Sequence, residues 1–321
     1  MRKADDDLLR IGNLAIILGG KTILENININ VRDGEMLGLV GVSGAGKTSL
    51  LNSIIGYYPV ARGDILYNSP RKKRLISILD KFSNFRGLFG FSAQNPSFYP
   101  ELSVMENLEY FASLYNIPDD IKVQNIERAL KLVKLHEHKN AIAKNLSGGM
   151  KKRLDIACAI VHFPKVLLLD EPTSDMDPLL RIQIWGLVED INKSGTTIIV
   201  ASHFLSEIEH ICDRIVLIHN KRVEFEGSPK HFRNIHAKTK EIHIATRDGK
   251  YSVILKKIMD MPFLEVKRVL KKKGRIIIHS KESDNVINNA ISKLLRGETN
   301  ISDVEVTNPS MDMLFKLFVE K

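Results

Sequence analysis

Two runs near the start of the chain, 8–17 and 22–31, alternate apolar and polar residues or run apolar, with Gly19-Gly20 between them and Asp33-Gly34 after them. Period-two runs bounded by turn residues predict strands. Residues 36–40 form a short continuous apolar run, suited to a strand buried on both faces. Helical spacing follows over 48–55, and 63–67 reads as a short strand. The stretch 70–90 begins with basic residues and mixes Phe82, Phe85, Leu88 and Phe89 with polar ones, which predicts a loop with a short helix. From 104 to 133 the spacing is helical, broken at Pro118. Beyond it the pattern predicts a helix over 150–161, a buried strand over 165–170, a helix over 179–192, a strand over 196–201 and a helix over 204–210. A hairpin-like pair, 215–219 and 222–225, closes this part. Alternating strands and helices with short connections predict an α/β domain with a largely parallel sheet.

Gly227-Ser228-Pro229 marks a boundary, and the order then changes. Strand patterns over 241–246, 263–270, 275–280 and 301–307 are interleaved with helical patterns over 250–259 and 284–295. That is βαββαβ, the ferredoxin-like order. An amphipathic helix is expected over 309–319. The expected domains are therefore 1–228, with a helical subdomain over about 95–160, and an α+β domain over 229–321.

Composition adds bounds to this picture. In 321 residues, 44% hydrophobic and 26% charged, there is material for a sizeable core and no apolar run long enough to span a bilayer. The charged N-terminus lacks an apolar segment of the secretory kind. Cys158 and Cys212 lie far apart and show no metal-ligand spacing, which fits two small buried residues in a reducing compartment. The net charge is +9, and residues 229–321 hold 19 Lys/Arg against 11 Asp/Glu, so nearly all of the excess lies there. A solvated lysine-rich surface is one reading and attraction to anionic head groups another. No aromatic residues interleave with Lys271-Lys272-Lys273, so a single-strand binding groove is not suggested, and no direct nucleic-acid partner is expected.

The chemistry concentrates in a few stretches. Gly41-Val42-Ser43-Gly44-Ala45-Gly46-Lys47-Thr48-Ser49 fits G-x-x-x-x-G-K-[ST] and stands between a strand and a helix. Glycines let successive backbone N–H groups turn into one concavity, and the following helix adds its unsatisfied N-terminal donors. Lys47 is placed to reach the β- and γ-phosphates, and the Thr48 hydroxyl to ligate Mg²⁺. Such a stretch is built to hold a nucleoside triphosphate. The apolar run 165–170 carries Asp170 to a strand end, where a carboxylate can orient Mg²⁺, and Glu171 beside it can polarise an attacking water. Ser147-Gly148-Gly149 precedes a helix 23 residues before Asp170. Alone it would read as a serine cap with a flexible turn.

Together these residues resemble the nucleotide-binding domain of ABC transporters over about residues 8–227. The resemblance rests on the P-loop, Gln94 in "FGFSAQNPSFYP", the signature "LSGGM", "VLLLD" with Glu171, "SDMD" ending at Asp177, and His203 in "VASH". It implies a P-loop ATPase cassette that binds ATP and Mg²⁺. Two cassettes, identical or related, would sandwich two ATP molecules, with Lys47 and Thr48 of one facing Ser147 and Gly149 of the other. Glu171 would activate water, His203 would contact the γ-phosphate, and Gln94 would touch Mg²⁺ and sense a membrane partner. The sequence departs from the family at Leu18, where an aromatic ring commonly stacks on adenine, and at Asp175-Met176, where small or apolar residues are usual.

The segment "ELSVMENLEYFASLY" and the ending "NPSMDMLFKLF" resemble ATP-binding subunits of ABC-2 type transporters, commonly exporters. The implied partner is a separate transmembrane permease subunit, docking near Gln94 and residues 104–115, with this chain peripheral at the cytoplasmic face of the membrane. The alternative is a soluble ABC ATPase acting on ribosomes or nucleic acid. Those forms usually carry two cassettes or long coiled coils. Here there is one P-loop, and Lys47 and Ser147 are 100 residues apart without sustained heptads.

Overall fold

The computed structural model describes residues 7–69, 74–80, 82–236, 240–248, 251–261, 266–272, 274–297 and 300–319. The chain divides into two compact units, Met1–Pro229 and Lys230–Lys321. In the first, β1 (Asp7–Leu18) and β2 (Lys21–Arg32) pair antiparallel through a turn at Gly19-Gly20. Then come β3 (Met36–Val40), α1 (Lys47–Ile54), β4 (Arg62–Ser69), β5 (Arg74–Ser77) and β6 (Phe89–Ser92). A helical section holds α2 (Val104–Ser113), α3 (Asp119–Leu132) and α4 (Gly148–Ile160). β7 (Val166–Asp170), α5 (Pro178–Lys193), β8 (Thr197–Ser202), α6 (Leu205–Ile211), β9 (Arg214–His219) and β10 (Arg222–Gly227) complete it.

Two sheets result. One is antiparallel with order β2-β1-β4-β5. The other runs β10-β9-β3-β8-β7-β6, parallel from β9 to β6, with β10 antiparallel at its edge. Every residue of β3, β7 and β8 is buried, as expected of parallel strands covered on both faces. One apolar core joins the two sheets: Leu50, Leu51 and Ile54 of α1 pack with Leu14 and Leu24 of the antiparallel sheet and with Leu39 and Ile199 of the parallel one. α1 is thereby fixed at the C-terminal end of β3.

The second unit opens with α7 (Pro229–His236) and continues with β11 (Lys240–Thr246), α8 (Ser252–Met259), β12 (Val266–Lys272), β13 (Arg275–Ser280), α9 (Asp284–Gly297), β14 (Ile301–Thr307) and α10 (Met311–Val319). Its sheet is antiparallel with order β12-β13-β11-β14, the ferredoxin-like arrangement the sequence predicts. Ile242, Ile244, Ile276 and Ile278 of the sheet bury against Ile254 and Ile258 of α8 and Ile287 and Leu294 of α9. The starts of the expected helix at Lys250 and strand at Phe263, like Lys273, lie outside the described residues.

The structure revises one expectation and adds elements that no pattern announced. The stretch 70–90, of which 70–73 and 81 lie outside the described residues, holds the expected short helix, a 3₁₀ helix over Phe82–Leu88, but also the edge strand β5 and the start of β6 in place of plain loop. β6 escapes a pattern reading because it is four residues long and contains glycine. α7 begins at Pro229, where the punctuation marks a helix start as well as a boundary.

Candidate functional site

The P-loop connects β3 to α1 and lines a cavity of about 440 Å³ with Ile23, Gln94, Glu171 and His203. Gly46 stands at the α1 N-cap with φ 101°, and a Cβ there would lie 2.8 Å from Leu24 Cδ2, so only glycine fits this turn and this packing. It supplies no capping side chain, so the first N–H groups of α1 stay available on the cavity side. Lys47 is buried and donates from Nζ to the carbonyls of Gly41 (2.8 Å) and Val42 (3.3 Å). Those two residues thus position the lysine, whereas Ser43, Gly44, Ala45, Gly46, Lys47, Thr48 and Ser49 form the wall. Burial pulls the Lys47 ammonium below the usual lysine range, and the nearby charges of Glu171 and Asp170 oppose that shift.

Asp170 ends β7 almost fully buried, and its Oδ1 has no hydrogen-bond partner among the described residues. Burial raises its carboxyl above the ordinary range, while a hydrogen bond with Thr48 pulls the other way. A desolvated oxygen without a donor, next to a hydroxyl at a phosphate-type loop, suits a divalent cation.

Glu171 takes a left-handed backbone, φ 48°, with its N–H donating to Ala201 O on β8 at 2.9 Å. That conformation is costly for a non-glycine residue, and here it turns the side chain from the strand into the cavity. Its Oε2 lies 2.8 Å from His203 Nδ1 and its Oε1 3.8 Å from Lys47 Nζ. His203 follows β8, its ring 4.0 Å from that of Phe204. Gln94 follows β6, exposed, on the same cavity. Three parallel strands, β3, β7 and β8, thus deliver Lys47, Asp170, Glu171 and His203 to one end of one sheet, which is where ligands bind in open α/β sheets.

Ser147, Gly148, Gly149 and Asp177 do not line this cavity. Ser147 caps α4, accepting from Met150 N at 3.4 Å, and both it and Gly148 are exposed. A Cβ on the buried Gly149 would sit 2.7 Å from Leu180 Cδ2. Asp177 caps α5, accepting from Leu179 N (2.9 Å) and Leu180 N (3.0 Å). Asp175 has φ 58°, a conformation that aspartate tolerates better than branched apolar residues do, which gives its departure from the family pattern a backbone reason.

Sequence reasoning missed Ile23. The apolar wall of the cavity comes from β2, whereas Leu18 packs partly buried against the core. No motif marks Ile23. Its place follows only from the antiparallel sheet lying over the P-loop.

The family model described as ABC transporter matches residues 24–174. The chain is 33% identical over 225 residues to an uncharacterized ABC transporter ATP-binding protein, YdbJ, of Bacillus subtilis, covering 70% of each. It is 27% identical over 308 residues to the linearmycin resistance ATP-binding protein LnrL of Bacillus subtilis, covering 96% of this chain and 97% of that one. It spans 13% of the length of human ATP-binding cassette sub-family A member 2, at 27% identity over 325 residues. Among solved structures, cbiO1 from Clostridium perfringens, part of the ABC transporter complex cbiONQ, superposes with a TM-score of 0.64 at 28% identity, covering 80% of this chain and 96% of that one. With the cavity, the sheet order and the likeness to YdbJ all in agreement, the chain belongs to the ABC transporter ATP-binding proteins.

Proposed function

We propose that the chain is the ATP-binding and ATP-hydrolysing subunit of an ABC-2 type exporter, working as a pair of cassettes on a separate transmembrane permease. The observation that carries this is the division of the motif residues: the P-loop, Glu171 and His203 share one cavity, while the N-terminus of α4 stands exposed and apart from it. A second cassette turned head to tail would bring its Ser147 and Gly149 over the open side of the cavity. Residues 1–228 act as the cassette and 229–321 as an accessory domain whose basic excess faces anionic head groups. Export is supported by the ABC-2 resemblance of "ELSVMENLEYFASLY" and "NPSMDMLFKLF".

In this reading Lys47 and the P-loop N–H groups hold the β- and γ-phosphates. Thr48, Asp170 and Gln94 would hold Mg²⁺, which would supply positive charge to offset the negative charge developing on the phosphates. The unpartnered Asp170 Oδ1 supports that assignment. Glu171 accepts the proton of the attacking water. His203, bonded through Nδ1 to Glu171, keeps the carboxylate turned inward and presents its other nitrogen to the γ-phosphate. Asp177 helps set the facing subunit's position.

No helix among the described residues is long and apolar enough to cross a membrane, and the permease is assigned to a groove of about 400 Å³ lined in part by Ser97, on the loop that follows Gln94. Phe82, Arg86, Phe91, Phe111, Leu114 and Tyr115 line it. Steady-state hydrolysis tests the reading: Glu171→Gln should lower kcat by about 10²–10⁴-fold while ATP binding persists. Wild-type turnover in that variant would overturn it. Co-purification of a polytopic membrane protein with ATP-bound Glu171→Gln is the expected partner result, and ribosomal or DNA-bound partners would refute the transport part.

A further inference from the structure

Two charged residues in the middle of α4 are buried, and apart from the Lys152 charge acting on Asp170 they have no part in the proposed site. Asp155 is fully buried and Lys152 is 6% exposed. Asp155 accepts from Ser92 Oγ at 2.5 Å, from Ser97 N at 2.9 Å and from Ser97 Oγ at 3.2 Å. Lys152 Nζ donates to Ser92 Oγ (3.0 Å), to Ala93 O (3.2 Å) and to Asp155 Oδ2 (3.4 Å). Ser92 and Ala93 precede Gln94, and Ser97 follows it. The pair therefore grips the chain on both sides of Gln94. Gly90 permits the grip, because a Cβ there would run into the carbonyl oxygen of Ala159 and push α4 off β6. Burying two charges costs several kcal/mol unless geometry and hydrogen bonds compensate, and the partners named here supply that compensation.

We propose that Asp155 and Lys152 are positioning residues that lock the Gln94 loop to α4, so that a displacement of that loop moves the exposed Ser147 end of the same helix. This rests on the cassette reading above and deepens it. Ser97, held by Asp155, also lines the groove assigned to the permease, as do Cys158 and Ala159 of α4. The groove, the Gln94 loop and the α4 N-terminus are thus ends of one rigid piece rather than three separate parts. A buried carboxylate with three short donor contacts transmits a shift that an exposed pair would absorb.

The test uses the full chain, Asp155→Asn and Ser97→Ala, with amide hydrogen exchange and ATP kinetics. Asn keeps the size and one acceptor of the carboxylate, and Ser97→Ala leaves the backbone donor in place, so a folding failure in one leaves the other to decide. Asp155→Asn should speed exchange about tenfold in both 92–98 and 147–151, at the cost of a charged hydrogen bond, with 41–49 unchanged. Its kcat should fall about tenfold with KM held within about twofold, since placement and not ground-state binding is lost. Ser97→Ala should show the same pattern more weakly, and the double variant should be less than additive. Faster exchange confined to 92–98, or a uniform loss of protection with kcat intact, would overturn the proposal. A wild-type chain without ATP turnover would defeat the functional reading, and exchange alone would then decide the coupling.

Discussion

Two helices of this protein begin after glycine-rich sequence, and they begin differently. α1 starts at Gly46 without a capping side chain, facing a walled cavity with a buried lysine. α4 starts at Ser147, capped by its own hydroxyl and exposed. Similar sequence thus yields one helix start walled into a cavity by the chain itself and one helix end that the chain leaves open. The difference lies in what surrounds them: α1 is clamped between two sheets, whereas α4 is held by its middle, through Asp155, Lys152 and the packing of Ala159 on Gly90. A donor-rich helix end with no wall of its own is suited to a ligand that another chain presents.

The contrast breaks most readily at Lys47. Replacing it with alanine removes charge-assisted contacts to phosphate, and ATP affinity should fall about 10²–10³-fold in calorimetry. Affinity within about twofold of wild type would mean that the cavity does not hold the phosphates. A smaller effect belongs to the far end of α4. His162, just past that end, is half-buried, stacked 3.5 Å from Tyr115, with Nε2 3.0 Å from Phe89 O, and desolvation pulls its pKa down to about 4. The fold favours the neutral ring, so the unfolded chain binds the proton first as pH falls. Stability should be full above pH 6.5 and decline toward pH 4 by about 3 kcal/mol in total. Denaturant melts across that range would show the slope, and His162→Gln should flatten it. The smallest effect is at the open end: Ser147→Ala should cost about 1 kcal/mol of stability through the lost cap. It should leave ATP affinity of the isolated chain unchanged while lowering turnover of the paired form. A loss of affinity in the isolated chain would erase the distinction between the two helix ends.

Lys47, Asp170, Glu171 and His203 were legible because each follows or ends a strand that its own apolar run announces. The run 36–40 points to Lys47, 165–170 to Asp170 and Glu171, and 196–201 to His203. The ferredoxin-like unit was legible for the same reason, each strand carrying its own pattern of isoleucine, valine or leucine. What stayed hidden depends on distant partners. In "MKKRLD", Lys152 and Asp155 look like a solvated i,i+3 pair, and only the approach of β6 through Gly90 buries them. β6 is too short for a period, and Ile23 reaches the cavity only through the pairing of β2.

The missing cap on α1 has a consequence for the life of the protein apart from turnover. A helix whose first donors await an anion is finished by its nucleotide, so ATP acts as a folding ligand. At a hundredfold excess over its dissociation constant it adds about 2.7 kcal/mol to the native state. Melting temperature should then track nucleotide supply, and the chain would be most open to proteases when the cell's energy charge is lowest.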